Sequence, residues 1–465
     1  MFIDREKELR LLETEYRRTA ASLVIIYGRR RVGKTALINE FCKDKPHIYY
    51  LATQESETVN RDSFRMITAE ALSNELLSSA VVDRWEPIFR AISDRCTEND
   101  RLIIVIDEFQ YLGMANSAFP SVLARIWDTM LSAKNVMLIL CGSLIRMMTD
   151  QTLNYSSPLY GRRTAQLNMK QIPYRYYSGF CPGLSADERL MRYAVTGGVP
   201  KYIDLFGEED DIYTDIQRSI LEPGSFLYAE PEFLLEKEVA EIGSYFSLLR
   251  VIASGSRRGS EIASKLQIKQ TSLPKYLTVL RELDLLEKEV PATEDRPEKS
   301  KKVLYGINDN FIRFWFTYVY PNRSYLESGR TEYVLQRIRE SFESSFVAAV
   351  FEDVCREHIR NTSETPYERV GRYWDNRHAE IDVMAIREID GKKEMLLGEC
   401  KYSSHPKGLA VLNDLHERLA FIPHADEYST RFAIFSRSGF DKHLIEYAGE
   451  HEDVSLYSLD DISVI

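Results

Sequence analysis

Eight consecutive residues constrain this chain more than any other feature: Gly28-Arg29-Arg30-Arg31-Val32-Gly33-Lys34-Thr35. They match Gly-x-x-x-x-Gly-Lys-Ser/Thr, the pattern of a phosphate-cradling loop. An apolar run from Ser22 to Tyr27 precedes them, and Ala36-Leu37-Ile38-Asn39-Glu40-Phe41 continues with helical character. A loop in that position turns backbone N–H groups inward, where they and the helix N-terminus meet phosphate oxygens. On this reading Gly28, Arg29, Arg30, Arg31, Val32, Gly33, Lys34, Thr35 and Ala36 surround a nucleotide. Lys34 reaches its β- and γ-phosphates, and the Thr35 hydroxyl binds magnesium.

Magnesium needs a second anchor. The run Leu102-Ile103-Ile104-Val105-Ile106 ends in Asp107-Glu108, and ligands of parallel sheets bind at the carboxyl ends of strands. Asp107 is the expected metal ligand, and Glu108 the group that orients or deprotonates an attacking water. Ser143 follows the apolar run Val136–Gly142, where it can sense the γ-phosphate. Arg162 and Arg163 can stabilise transition-state charge, in cis or across a subunit interface; the bland alternative is a solvated basic face. The apolar runs Ser22–Gly28, Ile48–Ala52, Leu102–Asp107, Val136–Gly142 and Thr164–Met169 alternate with amphipathic stretches. Such runs read as strands of a parallel α/β sheet.

Six segments in order, FIDREKEL, YGRRRVGKT, IDEFQYL, LILCGS, SPLYGRRT and TGGVPKYI, resemble the prokaryotic archaeal ATPase family. That family is a branch of the AAA-related P-loop NTPases close to the signalling ATPases with numerous domains. The resemblance covers about residues 1–203. It implies ATP as the nucleotide, an ATPase core and a small helical lid. It also implies that Arg5 lies near the adenine and that Pro200, in a Gly-x-Pro-like element, contacts the nucleotide from the lid.

The middle of the chain is helical. Helices are expected over Ser244–Ile252, Ser260–Leu266 and Thr271–Leu286, followed by a strand-like run Lys301–Ile307. The order resembles a winged helix-turn-helix. Six basic residues (Arg257, Arg258, Lys265, Lys269, Lys275, Arg281) stand there against one acid, Glu261. That patch suits a DNA backbone, with Lys269, Gln270, Ser272 and Lys275 toward the groove; a protein-binding module with a solvated basic face is the alternative.

The tail carries a second constellation. Asp390-Gly391 is a two-residue hairpin signal between apolar runs. With those two residues as the turn, Asp382 falls opposite Glu399 and Glu380 opposite Lys401, all on one face. Facing carboxylates repel, and a second Mg2+ or Mn2+ would remove the repulsion. The pattern resembles the PD-(D/E)XK nuclease fold, with Asp382, Glu399 and Lys401 as its signature and Glu352 as its upstream acid. The stretch from about Glu343 to the end also resembles a C-terminal domain of unknown function that the same ATPase family carries. A surface hairpin with a Glu380–Lys401 pair, or a fold that keeps the acids without cleaving, are the alternatives.

The expected class is therefore α/β: a P-loop NTPase parallel sheet (1–180), a helical lid (181–235), a winged helix-turn-helix (236–325) and a restriction-endonuclease-like α/β domain (326–465). The expected function is a Mg-dependent ATPase coupled to DNA binding, with metal-dependent DNA cleavage an open possibility. Its rivals are an ATP-driven switch acting on a protein partner, with self-association an option, and a motor coupled to translocation. Net charge is −11, which excludes a uniformly basic nucleic-acid coat protein. Residues 331–465 hold 16 basic and 26 acidic side chains, against 44 and 45 in the preceding 330. The excess acid thus lies in the proposed metal domain, so the front of the chain must hold any DNA. Six cysteines without a CxxC pair, no apolar leader and no membrane-length apolar run suggest a reduced, cytoplasmic chain. The histidines are scattered without ligand spacing.

Overall fold

The computed structural model describes residues 2–96, 100–362, 365–375 and 379–463. Asn376, Arg377 and His378, part of the stretch behind the C-terminal resemblance, lie outside the described residues. The chain divides into two compact units, Met1–Gln171 and Ile172–Ile465.

Five strands form the sheet of the first unit: β1 (Ser22–Tyr27), β2 (His47–Leu51), β3 (Leu102–Asp107), β4 (Val136–Gly142) and β5 (Ala165–Asn168). All pairings are parallel, in the order β2-β3-β4-β1-β5. Alternate residues serve opposite faces: Leu23 and Ile25 join one apolar cluster, Val24 and Ile26 the other. Both faces being covered explains why the central strands β1, β3 and β4 are apolar along nearly their whole length. Helix α1 (Glu6–Tyr16) precedes β1, and α2 (Lys34–Cys42) follows the phosphate loop. Leu12, Leu37, Ile38 and Phe41 bury against the Val24 face.

The second unit begins with short helices. Ser185 caps the helix Ala186–Thr196 in a reciprocal box with Glu188, and Pro200 opens the short helix Pro200–Ile203. Three helices follow: α3 (Ile242–Ala253), α4 (Gly259–Lys265) and α5 (Leu273–Glu282). Helix α5 stops four residues before the end expected from its leucine spacing. Asp284 takes a left-handed conformation (φ 55°), Leu285 N–H bonds back to Leu280 O at 2.9 Å, and Leu286 opens a strand instead. Leu283, Leu285 and Leu286 are buried all the same, so an apolar spacing that fits a helix here serves a turn into a strand. That strand, β6 (Leu286–Glu289), pairs antiparallel with β7 (Leu304–Ile307). The loop leaving β6 docks on the C-terminal sheet. Ala292 N–H bonds to Arg372 O at 2.8 Å, Arg369 pairs with Asp295 at 3.1 Å, and Ala292 is part of that sheet's apolar cluster.

The C-terminal sheet has the order β12-β11-β10-β9-β8, from β8 (Arg369–Trp374), β9 (Glu380–Ile389), β10 (Lys392–Lys401), β11 (Ser429–Ser436) and β12 (Val454–Ser458). Strands β8, β9 and β10 pair antiparallel; β10, β11 and β12 pair parallel. Helix α6 (Ala348–Thr362) precedes it, and α7 (Leu409–Leu419) follows β10. The β9–β10 turn is Asp390-Gly391, both with positive φ (51° and 76°), the geometry of a type I′ turn. Its register pairs Lys392 with Ile389 and Gly398 with Val383, so the expected hairpin register is the observed one. Among the described residues no helix is long and apolar enough to cross a membrane.

Candidate functional site

The phosphate loop leaves β1 at Gly28 with φ 148°. A side chain there would stand 2.4 Å from Met169 O, so only glycine lets β1 pass the strand-end of β5. Arg31 and Gly33 adopt φ of 70° and 96°, which turns successive N–H groups toward one concavity. Lys34 is buried, and its Nζ donates to Gly28 O at 2.9 Å and Arg29 O at 2.8 Å. Burial pulls its pKa down, against the nearby Cys141, Glu108 and Asp107. Val32 points into the apolar cluster, while Thr35 and Ala36 are exposed at the start of α2.

Thr35 Oγ1 donates to Asp107 Oδ2 at 3.0 Å. A hydroxyl and a carboxylate side by side at the loop form the oxygen donor set that Mg2+ takes together with water and phosphate, so the residues present fit magnesium. The Tyr49 hydroxyl also donates to Asp107 Oδ2, at 2.6 Å. Asp107 Oδ1 accepts Glu108 N–H at 2.8 Å, which helps hold Glu108 at φ 53°. Such a conformation is costly for a non-glycine residue and clusters at functional sites. Ser143 Oγ donates to Glu108 Oε2 at 2.7 Å, as does Gln110 Nε2. Arg30 of the loop reaches Ser143 Oγ (3.4 Å) and the Tyr111 hydroxyl (2.9 Å). Loop, strand end and Ser143 therefore form one hydrogen-bonded unit.

Three further expected residues make contacts of their own. Arg5 is buried and donates to Val32 O (3.1 Å) and Lys170 O (2.8 Å), tying α1 to the loop backbone. Arg162 holds Asp128 through two bonds of 2.9 and 2.5 Å, and Arg163 lies over the Tyr160 ring. Thr164 N–H bonds to Leu23 O, so the arginine pair sits at the amino end of β1. The phosphate loop is at the other end, four residues or about 13 Å away. A cis role for Arg162 and Arg163 is thereby set aside: parallel pairing of β5 with β1 puts them at the wrong edge. Pro200 belongs to the second unit.

In the C-terminal sheet Asp382 Oδ2 accepts Cys400 N–H at 2.9 Å. Glu399 is buried, with Oε1 on Lys401 Nζ at 2.6 Å and Oε2 on Arg418 of α7 at 2.8 Å. Burial, then the Glu399 charge, pushes Asp382 up. Burial, then Asp382, pushes Glu352 to about 7. Glu380 pairs with Arg372 rather than Lys401. The four expected groups are thus neighbours, but no three His, Cys, Asp or Glu side chains among the described residues are arranged to hold a metal. With both Glu399 oxygens held by cations, the cluster as it stands does not fit a Mg2+ or Mn2+ ion.

Residues 2–206 match the model of an ATPase domain predominantly from Archaea. An uncharacterized protein of Methanocaldococcus jannaschii is 32% identical over 468 residues, covering 100% of both chains. The chain belongs to the archaeal ATPase family. A second model, of archaeal and bacterial proteins of unknown function, matches residues 315–411 of this archaeal ATPase. An uncharacterized ATP-binding protein of the same organism is 51% identical over 45 residues, 10% of this chain and 76% of that one. A Walker-type ATPase of Pyrococcus abyssi is 21% identical, with a TM-score of 0.49 over 68% of this chain and 96% of that one.

Sequence reasoning missed Tyr49, Gln110, Tyr111 and Arg418 as members of these clusters. Tyr49 carries a readable signal only once β2 is known to neighbour β3, where it pairs with Val105 and shares a face with Asp107. Gln110 and Tyr111 lie just past Glu108 in the motif that carried the family resemblance. Nothing local marks Arg418, which reaches Glu399 from nineteen positions further along the chain.

Proposed function

We propose that this ATPase uses ATP to control the grip of a winged-helix module on DNA, and that its C-terminal domain holds nucleic acid without cutting it. In the first unit, Lys34 and the loop amides take the phosphates, Thr35 and Asp107 the magnesium, and Glu108, aligned by Ser143 and Gln110, the attacking water. Magnesium supplies charge neutralisation at the phosphates. Arg162 and Arg163 act on the nucleotide of a second copy, which makes self-association part of the cycle. Arg5 positions the loop, and Pro200 contacts the nucleotide from the lid.

One observation carries the DNA reading. Arg258, Lys265, Lys269, Lys275 and Arg281 are exposed on α4, α5 and their flanks, together with Gln270 and Ser272, while Arg257 turns inward to Glu289 at 2.7 Å. Five solvated cations beside a helix that presents polar residues suit a phosphate backbone. The test is duplex binding by fluorescence anisotropy, with and without a non-hydrolysable ATP analogue. Lys269→Glu with Lys275→Glu should weaken binding and lower the salt slope by about 2. Unchanged affinity and slope in the double variant would sink the reading.

Metal-dependent cleavage is a second reading, supported by the register that sets Asp382 beside Glu399 and Lys401. It requires Lys401 and Arg418 to release Glu399. Manganese-dependent nicking that disappears in Asp382→Ala would favour it over simple grip.

A further inference from the structure

The β6–β7 hairpin, the end of α3, α6 and β8 line a half-open cavity of about 330 Å³. Guanidiniums from separate elements line it: Arg257 after α3, Arg313 from the helix Asn310–Phe314, Arg356 from α6 and Arg372 from β8. Each is held by a carboxylate: Arg257 by Glu289 at 2.7 Å, Arg313 by Asp353 at 3.3 Å, and Arg356 by Asp353 and by Glu352 at 3.7 Å, so a phosphate would take the guanidinium N–H groups these pairs leave over. Arg372 bonds Glu380, yet its Nε is buried with no hydrogen-bond partner among the described residues. Tyr305, Tyr318 and Phe346 complete the lining with aromatic rings. Gly306 keeps part of the wall open: a side chain there would stand 3.2 Å from Glu287 Oε1 and 3.3 Å from Arg257 Nη2. Burial pushes the Glu287 carboxyl up to about 8, so at neutral pH it is a hydrogen-bond donor and not a repelling charge.

Guanidiniums that donate to phosphate in planar forks, beside rings on which a base can stack, are the chemistry of single-strand recognition. The volume lies at the small end of the roughly 300–1,000 Å³ range of ligand pockets, with room for one nucleotide unit and not for a base pair. The loop leaving β6 is tied to β8 beside it by the Ala292–Arg372 hydrogen bond and the Asp295–Arg369 pair. We propose that this cavity binds one phosphate-bearing nucleotide unit, supplied by the end of a single strand or by a free mononucleotide. The inference deepens the proposed hold on nucleic acid and rests on that reading.

The experiment uses the full chain carrying Lys34→Ala, in chelator, so that neither the phosphate loop nor cleavage contributes. Fluorescein-labelled oligothymidylate and a blunt duplex are titrated by anisotropy, and thymidine monophosphate is added as competitor. Ala349→Trp, which fills the cavity from α6, and Arg372→Gln should each weaken single-strand binding about tenfold or more, with duplex binding held within about twofold. Competition by thymidine monophosphate identifies a free nucleotide as a sufficient ligand; single-strand binding that resists it assigns the site to strand ends. Single-strand affinity unaffected by both variants overturns the proposal, as does a parallel fall of single-strand and duplex binding in variants with unchanged melting temperature. Loss of duplex binding from Lys269→Glu with Lys275→Glu, while single-strand binding stays, leaves the cavity standing. A wild-type chain that binds thymidine monophosphate through Arg372 but no DNA would defeat the proposed function and not the pocket.

Discussion

Lys34 and Lys401 each stand beside two carboxylates, and the structure treats them in opposite ways. The Lys34 ammonium is held by two neutral carbonyls, with Asp107 and Glu108 near but bonded elsewhere. The Lys401 ammonium is closed onto Glu399, whose other oxygen is closed onto Arg418. A charge held by carbonyls stays available to a phosphate, because the charge-assisted bond is roughly twice as strong as the neutral ones it displaces. A single ammonium closed onto a buried carboxylate must give up that pair first, whereas a guanidinium with five N–H groups keeps donors to spare. The same residue types therefore make a site ready for a ligand in the first unit and a neutralised cluster in the second.

The largest expected effect follows from Lys34. Lys34→Ala should lower ATP turnover by about a thousandfold or more, at the upper range for removing one preorganised charge stabiliser; steady-state phosphate release measures it. Turnover within tenfold of wild type would break the comparison at its stronger end. Glu108→Gln should cost about a hundredfold in turnover while leaving ATP affinity nearly unchanged. A parallel loss of affinity would instead mark Glu108 as a scaffold for Ser143 and Gln110.

At the other cluster, Lys401→Met with Arg418→Met leaves Glu399 buried and uncompensated. Chemical denaturation should show a loss of roughly 3–5 kcal/mol, and calorimetry should reveal manganese binding that the wild type lacks. Manganese binding to the wild type with equal affinity would show that the cluster is not closed at all. The smallest effect concerns Glu287. Its carboxyl titrates at about 8 in the folded chain against about 4.3 unfolded, so folding favours the protonated form. That contribution is fully present below pH 4 and is lost as pH rises toward 8. Glu287→Gln should match wild type in melting temperature near pH 5 and exceed it near pH 9, where only the wild type buries an ionised carboxylate. A difference that shrinks with pH would reverse the assignment.

Much of the first unit was readable because its chemistry is local. Gly28, Gly33, Lys34 and Thr35 lie within eight residues, and Asp107 and Glu108 end a single apolar strand, so spacing alone brings the right groups to the loop. The β9–β10 register was readable for the same reason: Asp390-Gly391 dictates a two-residue turn, and side-chain alternation carries Asp382 to Glu399. The end of α5 was not, since a leucine spacing cannot distinguish a helix from a turn that buries the same leucines. Nor was the position of Arg162 and Arg163, which depends on which end of β1 receives β5.

The sequence by itself determined a nucleotide-phosphate site, a parallel sheet to carry it and a carboxylate-bearing hairpin, all from short-range spacing and period-two alternation. Only the tertiary structure decided the state of those carboxylates. Arg418 arrives from α7 to neutralise Glu399, and the β6–β7 hairpin, α6 and β8 bring four guanidiniums to one cavity. Burial and opposing charge are set by residues distant in sequence, and no local pattern encodes them.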